Sequence, residues 1–163
     1  MCSCDLLEKF GVKRSLLAVA LNRQKPEVLY ALERARGSLP PGTLGQVWFN
    51  DAAREVDQFI ERWGHALAVE FRPPVSHELS IDGTGLRADI DAVSENRQLL
   101  YRCGKTRPKD LISVWIRHLF ACASEGYEGL ETRFFAMDRA KKYLCFGSVD
   151  PQLAHRQIGR AHV

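Results

Sequence analysis

The sequence lacks the features that mark membrane and secreted proteins. No apolar run in the 163 residues approaches the roughly 20 residues that a bilayer-spanning helix needs. Near the N-terminus, Asp5, Glu8 and Lys9 interrupt the short apolar stretches, so the layout of a secretory signal is missing. These absences predict a cytoplasmic protein without a membrane segment.

The sequence also lacks a cysteine framework. Its five cysteines are an odd number without regular spacing: Cys2, Cys4, Cys103, Cys122 and Cys145. In a reducing compartment we expect free thiols, most of them buried. Cys2 and Cys4 have no Cys-x-x-Cys or histidine pair nearby to complete a zinc tetrahedron, so no metal site is predicted.

The sequence has no large excess of either positive or negative charge. The formal net charge is +3, and 45% hydrophobic with 26% charged residues is an ordinary globular composition. The length suits one domain with a hydrophobic core. A mild basic excess permits contact with nucleic acid without requiring it.

Residues 1–72 are predicted to form a helical segment that leads into the domain. Its best-marked helix follows the Pro40-Pro41-Gly42 break, where Thr43 and Gln46 have the spacing of a capping box, and Gly64 is expected to end it. The apolar stripe of this helix consists of Val47, Ala52, Val56, Phe59, Ile60 and Trp63.

Residues 73–157 change to strand patterns. A strand around 79–81 is followed by a hairpin turn at Asp82-Gly83 and by strands around 86–92 and 99–101. The three strands are predicted to form a meander. A helix beginning near Pro108 and a final hairpin over 132–146 complete the segment; the predicted buried face of that helix is Leu111, Ile112, Trp115, Leu119 and Cys122. The order predicts an α/β (α+β) class, with N-terminal helices followed by a small mixed sheet and a packed helix.

The stretch from Leu79 to Ala123 resembles the restriction-endonuclease-like core of PD-(D/E)XK nucleases. That core carries an acid at the end of one strand, then an acid, one spacer and a lysine on the next strand, because two carboxylates hold a divalent metal and the lysine polarises the phosphate. Asp91 occupies the first position, whereas Tyr101 and Cys103 occupy the other two. The resemblance therefore implies a nuclease-like fold with relict positions, no catalytic residue and no metal.

Other motifs resemble the C-terminal region of the gamma subunits of exodeoxyribonuclease V, the RecC family. They run from about Leu32 to Leu153 and comprise 34–45 (RARGSLPPGTLG), 99–102 (LLYR), 115–119 (WIRHL) leading to 122–123 (CA), and 133–135 (RFF). The resemblance implies a non-catalytic subunit that acts as scaffold and DNA channel in double-strand break repair by recombination. Its implied partners are DNA and the motor and nuclease subunits, which use ATP and Mg²⁺; no cofactor is implied for this fragment.

Four cations around the last predicted helix are candidates for DNA phosphate contacts: Lys105, Arg107, Lys109 and Arg117. A solvated helix edge or a subunit contact explains the same residues. Two other functions stay open: an active metal-dependent nuclease using Asp89 and Asp91 with Lys105, which needs a shifted register, and a scaffold module unrelated to DNA.

The chain end suggests a fragment. The implied family continues with further helices beyond Leu153, and residues 158–163 (IGRAHV) read like a translated sequencing adapter. We expect the core to be truncated at the C-terminus and this tail to be non-native. Resequencing the locus without adapter read-through tests this, because recovery of the same codons in genomic DNA contradicts it.

Overall fold

The computed structural model describes residues 3–21, 26–81, 83–138 and 142–160. It divides the chain into two compact units, Met1–Ala68 and Val69–Val163, and each is described by itself below. Over the described ranges there are five helices and two small sheets, so the predicted α+β class is confirmed. No helix within these ranges is long and apolar enough to cross a membrane.

The first unit contains three helices: α1 (Ser3–Leu21), α2 (Pro26–Ala35) and α3 (Thr43–Leu67). Helices α1 and α3 pack together, with Leu17 and Phe59 fully buried, and Lys13 of α1 forms an ion pair with Glu55 of α3. This small helical core is built by one apolar stripe on α3, whose members are Gly45, Phe49, Ala52, Val56, Phe59, Trp63 and Leu67.

Three details of the predicted helix after Pro40-Pro41-Gly42, which is α3 in the structure, are wrong. Gly42 is its N-cap, with φ 70° and no side-chain cap bond, so the capping box of Thr43 and Gln46 does not form. Gly64 does not end the helix, which continues to Leu67. The apolar stripe continues through Leu67, and burying that side chain outweighs the roughly 1 kcal/mol that an interior glycine costs. The predicted stripe residue Val47 is 51% exposed.

The second unit contains six strands and two helices, which are β1 (Val75–Ile81), β2 (Thr84–Ile90), β3 (Val93–Ser94), β4 (Arg97–Arg102), α4 (Pro108–Ala123), β5 (Glu131–Ala136), β6 (Leu144–Phe146) and α5 (Pro151–Arg160). Strands β1 and β2 form the predicted antiparallel hairpin, in which Ile81 pairs with Thr84. Gly83 has φ 81° in the turn, while Asp82 lies outside the described residues.

The predicted three-strand meander is wrong, because the structure divides it between two sheets. The β1–β2 hairpin is one sheet, and β3–β4–β5–β6 is the other. Ala92 lies between β2 and β3 with φ 55°, which a regular strand does not allow, so the chain changes direction there. Strand β4 runs parallel to β5 and β5 antiparallel to β6, which confirms a small mixed sheet with a final hairpin.

Helix α4 connects the parallel strands and packs on the sheet. It contributes Val114 to a cluster with Leu100, Phe134 and Ala136, and Leu119 to a second cluster. Ile112, which was predicted to be buried, is 61% exposed, whereas His118, which was not included in the predicted buried face, is fully buried. The predicted non-native tail begins at Ile158, which is buried in α5; residues 161–163 lie outside the described part.

Candidate functional site

Asp91, the acid predicted at the end of the second strand, lies just beyond β2 and immediately before Ala92. Its carboxylate forms an ion pair with Arg117 of α4, and its main-chain oxygen accepts a hydrogen bond from the Gln98 amide at 3.2 Å. The structure thus brings together Asp91, which was predicted to be a relict nuclease position, and Arg117, which was predicted to contact DNA phosphates. The charge of this carboxylate is balanced by arginine.

Asp89 does not join Asp91 on one strand face. Strand β2 ends at Ile90, between the two acids, and Asp89 is exposed opposite Ser76 of β1. Among the described residues, no group of three histidine, cysteine or acidic side chains is arranged to hold a metal ion.

Tyr101 and Cys103 flank Arg102 at the end of β4. Tyr101 is paired with Phe135 of β5 and is 37% exposed, while Cys103 is 7% exposed. Side chains alternate along a strand, so Tyr101 lies on the face opposite Leu100, which packs toward α4. Neither residue offers the carboxylate or the amine that metal-dependent phosphodiester hydrolysis requires.

The loop between β4 and α4 is fixed by two acids that were not singled out from the sequence. Asp110, in the first turn of α4, binds Arg102 Nη1 at 2.8 Å and accepts a hydrogen bond from the Arg107 main-chain N–H at 2.8 Å. Asp138 accepts hydrogen bonds from the main-chain N–H and the hydroxyl of Thr106, at 2.9 and 2.8 Å. An acid three residues after the N-cap, here Arg107, is the sequence signal that predicts the first of these.

Arg102 is held inside this loop and does not face solvent. Its side chain is 11% exposed, and its Nε donates a hydrogen bond to the Lys105 main-chain oxygen at 2.8 Å. Burial lowers the pKa of Arg102, and the neighbouring Asp110 carboxylate opposes that change. The guanidinium therefore organises the loop that carries the predicted phosphate contacts.

The four predicted phosphate contacts differ in their surroundings. Lys105 and Lys109 are exposed, and neither forms an ion pair with any described residue. Arg107 is half-buried at the start of α4, and Arg117, with a 41% exposed side chain, is the partner of Asp91. The loop and the first turn of α4 thus present two lysines to solvent.

A buried polar network lies beneath α4, and two of its members, Gln98 and Thr132, were not predicted from the sequence. His118 Nε2 is 3.0 Å from the Gly147 carbonyl oxygen, which can only accept, so Nε2 carries the proton. Its Nδ1 lies 2.9 Å from the Thr132 hydroxyl, which is 3.3 Å from Gln98 Oε1. The network reaches Asp91, because the Gln98 amide binds the Asp91 main-chain oxygen.

His118 and Cys122 lie close together but lack the properties of a base and a nucleophile. Burial lowers the pKa of His118, and burial raises the pKa of the Cys122 thiol, so both are neutral at neutral pH. Cys122 Sγ is 3.7 Å from His118 Nε2, and the imidazole ring packs against Trp115 and Phe146, which also contact each other. The pair is a buried structural contact.

The structure therefore defines an α+β protein in which Asp91 is paired with Arg117, and in which the two other positions predicted from the nuclease resemblance hold Tyr101 and a buried Cys103. The RecC C-terminal domain model matches residues 2–159, and the chain belongs to that family. Over 123 residues it is 24% identical to the RecBCD enzyme subunit RecC of Escherichia coli (strain K12), a match that covers 74% of this chain. The match covers 10% of the relative, so the chain corresponds to a small part of that protein.

Proposed function

We propose that this chain is part of a non-catalytic gamma subunit of exodeoxyribonuclease V, acting as scaffold and DNA channel in double-strand break repair. Membership of the RecC C-terminal domain family over 2–159 supports this, as does the named relative, a subunit of the RecBCD enzyme. In the proposal the nuclease-like core spans 73–157, the helical segment 1–72 leads into it, and 158–163 is a non-native tail. The protein acts in the cytoplasm.

The observation that carries the proposal is the state of the three nuclease-like positions. The single acid, Asp91, is paired with Arg117, and the other two positions hold Tyr101 and a buried Cys103. A metal ion bound at Asp91 would have to displace the guanidinium and would find no second carboxylate at Tyr101. We propose that these are relict positions and that ATP and Mg²⁺ are used by the motor and nuclease subunits that bind this one.

DNA contact is proposed through Lys105, Arg107, Lys109 and Arg117. The exposed lysines and the fixed loop between β4 and α4 support a contact with phosphates by charge, which carries no sequence selectivity. Neutralising Lys105 and Lys109 together should make the negative slope of log affinity against log salt shallower by about 0.9 for each phosphate that the protein no longer neutralises. Arg156→Gln, at an exposed cation of α5, is the matched control and should leave that slope unchanged.

The competing function is an active nuclease that uses Asp89 and Asp91 with Lys105. To test it, linear duplex DNA is incubated with the chain and Mg²⁺ or Mn²⁺, alongside the Asp91→Asn variant. The proposal predicts no metal-dependent cleavage by either protein. Cleavage by the unaltered chain that Asp91→Asn abolishes would establish the nuclease and overturn the proposal; equal traces in both identify a contaminating enzyme and leave the proposal standing.

A further inference from the structure

One side of α4 carries exposed apolar side chains that neither core cluster uses. Ile112 is 61% exposed and Ile116 is 44% exposed, and both side chains lie on the same side of the helix, one turn apart. Lys109 and Ser113 are exposed on the same side. We call these four residues, Lys109, Ile112, Ser113 and Ile116, the outer α4 stripe.

The stripe carries one charge, which is the positive charge of Lys109. Lys109 lies on it, and Arg117 follows Ile116 at its edge. Within the described part of the chain, Lys109 has no ion-pair partner, whereas its neighbour Asp110 binds Arg102 and Arg117 is paired with Asp91. An apolar centre with the unpaired cation Lys109 at its end is complementary to an apolar surface that carries a carboxylate beside it.

Two other occupants fit less well. A phosphodiester backbone can contact Lys109, as proposed above, but it cannot cover the two isoleucines, because it would place charged oxygens against side chains whose burial needs apolar atoms. A second copy of this chain would bring the same cations together, because a two-fold contact places identical surfaces against each other.

We propose that the outer α4 stripe docks an amphipathic helix of a protein partner, with an apolar face bordered by Asp or Glu. This inference rests on the proposed function, in which the chain is a scaffold for other subunits, and it names the surface and the chemistry of the contact. Isoleucines at i and i+4 provide the apolar contacts of a helix packed side by side, and Lys109 selects for the acidic border.

The probe is a fluorescent helical peptide with a leucine face bordered by glutamates, and a second peptide in which lysines replace the glutamates. We expect the acidic peptide to bind at least about tenfold more tightly than the lysine peptide, a difference that salt reduces. The variant Ile112→Ser/Ile116→Ser keeps every charge and should lose at least about tenfold in peptide affinity while binding duplex DNA as the unaltered chain does. Leu153→Ser, at another exposed apolar position on α5, is the matched control and should bind like the unaltered chain.

Several results would overturn the inference. They are equal binding of the two peptides, no binding of the acidic peptide, or no effect of the two serines on peptide binding. Self-association that the serines abolish would assign the stripe to a second copy. Circular dichroism melts confirm that the serine variant is folded. None of these results bears on metal-dependent cleavage, so failure here is separable from failure of the proposed function.

Discussion

At the scale of single residues, the burial of His118 makes the stability of the folded protein depend on pH. Its ring is fully buried, and burial lowers its pKa below the value of about 6.5 that it has in an unfolded chain. Between those two values the unfolded chain takes up a proton that the folded chain does not. Stability is therefore complete above about pH 6.5 and falls as pH decreases below it, by at most about 1.4 kcal/mol per pH unit.

Urea unfolding at pH 7.5, 6.5 and 5.5 checks this, with His118→Gln as the comparison. The variant should be less stable at neutral pH, since it loses the bonds to Thr132 and Gly147, but its stability should depend less on pH. An unchanged pH dependence in the variant would show that another group is responsible.

Ala92 has an unusual backbone conformation, with φ 55°. This conformation costs an alanine about 1 kcal/mol that a glycine avoids. We expect Ala92→Gly to be more favourable by about 1 kcal/mol than Ala88→Gly, an exposed alanine within β2 that has ordinary strand geometry. The free energies of unfolding of the two variants provide the measurement. Equal destabilisation would mean that Ala92 is not strained.

At the scale of elements, the start of α4 depends on Asp110. This carboxylate binds both the nearly buried Arg102 and the Arg107 main-chain N–H. Asp110→Ala leaves an arginine without its carboxylate and should destabilise the protein by about 2–3 kcal/mol, whereas Lys109→Ala, its exposed neighbour, should change stability by less than about 0.5 kcal/mol. Chemical denaturation of the two variants compares them directly, and similar values would contradict this role of Asp110.

The elements also show what sequence patterns can and cannot predict. The hairpin of β1 and β2, the start of α4 at Pro108 and the final hairpin were predicted, because turn residues and alternation are local signals. The division into two sheets was not, since it depends on the backbone of Ala92, a residue type that gives no warning of a positive φ.

The same limit applies at the candidate site. Asp91 and Arg117 were both singled out, but their pairing is a contact between residues 26 positions apart. The Gln98–Thr132–His118 network likewise joins β4, β5 and α4, so no local spacing indicates it. Contacts of this kind depend on the fold, whereas the identities of Tyr101 and Cys103, on which the predicted loss of nuclease chemistry depends, can be read from the sequence alone.

At the scale of the whole molecule, we interpret this RecC-family α+β chain as a support for other subunits that performs no chemistry itself. Its described residues carry a neutralised Asp91, two lysines open to solvent and an apolar stripe on α4. In our proposal these features form a surface that binds DNA and the other subunits.

The most direct test is co-purification of the chain with the motor subunits of exodeoxyribonuclease V from the same genome, followed by size-exclusion chromatography. We predict that they elute as one complex and that the chain alone shows no Mg²⁺-dependent cleavage. If the chain elutes by itself and cuts linear DNA, the interpretation as a non-catalytic scaffold is wrong.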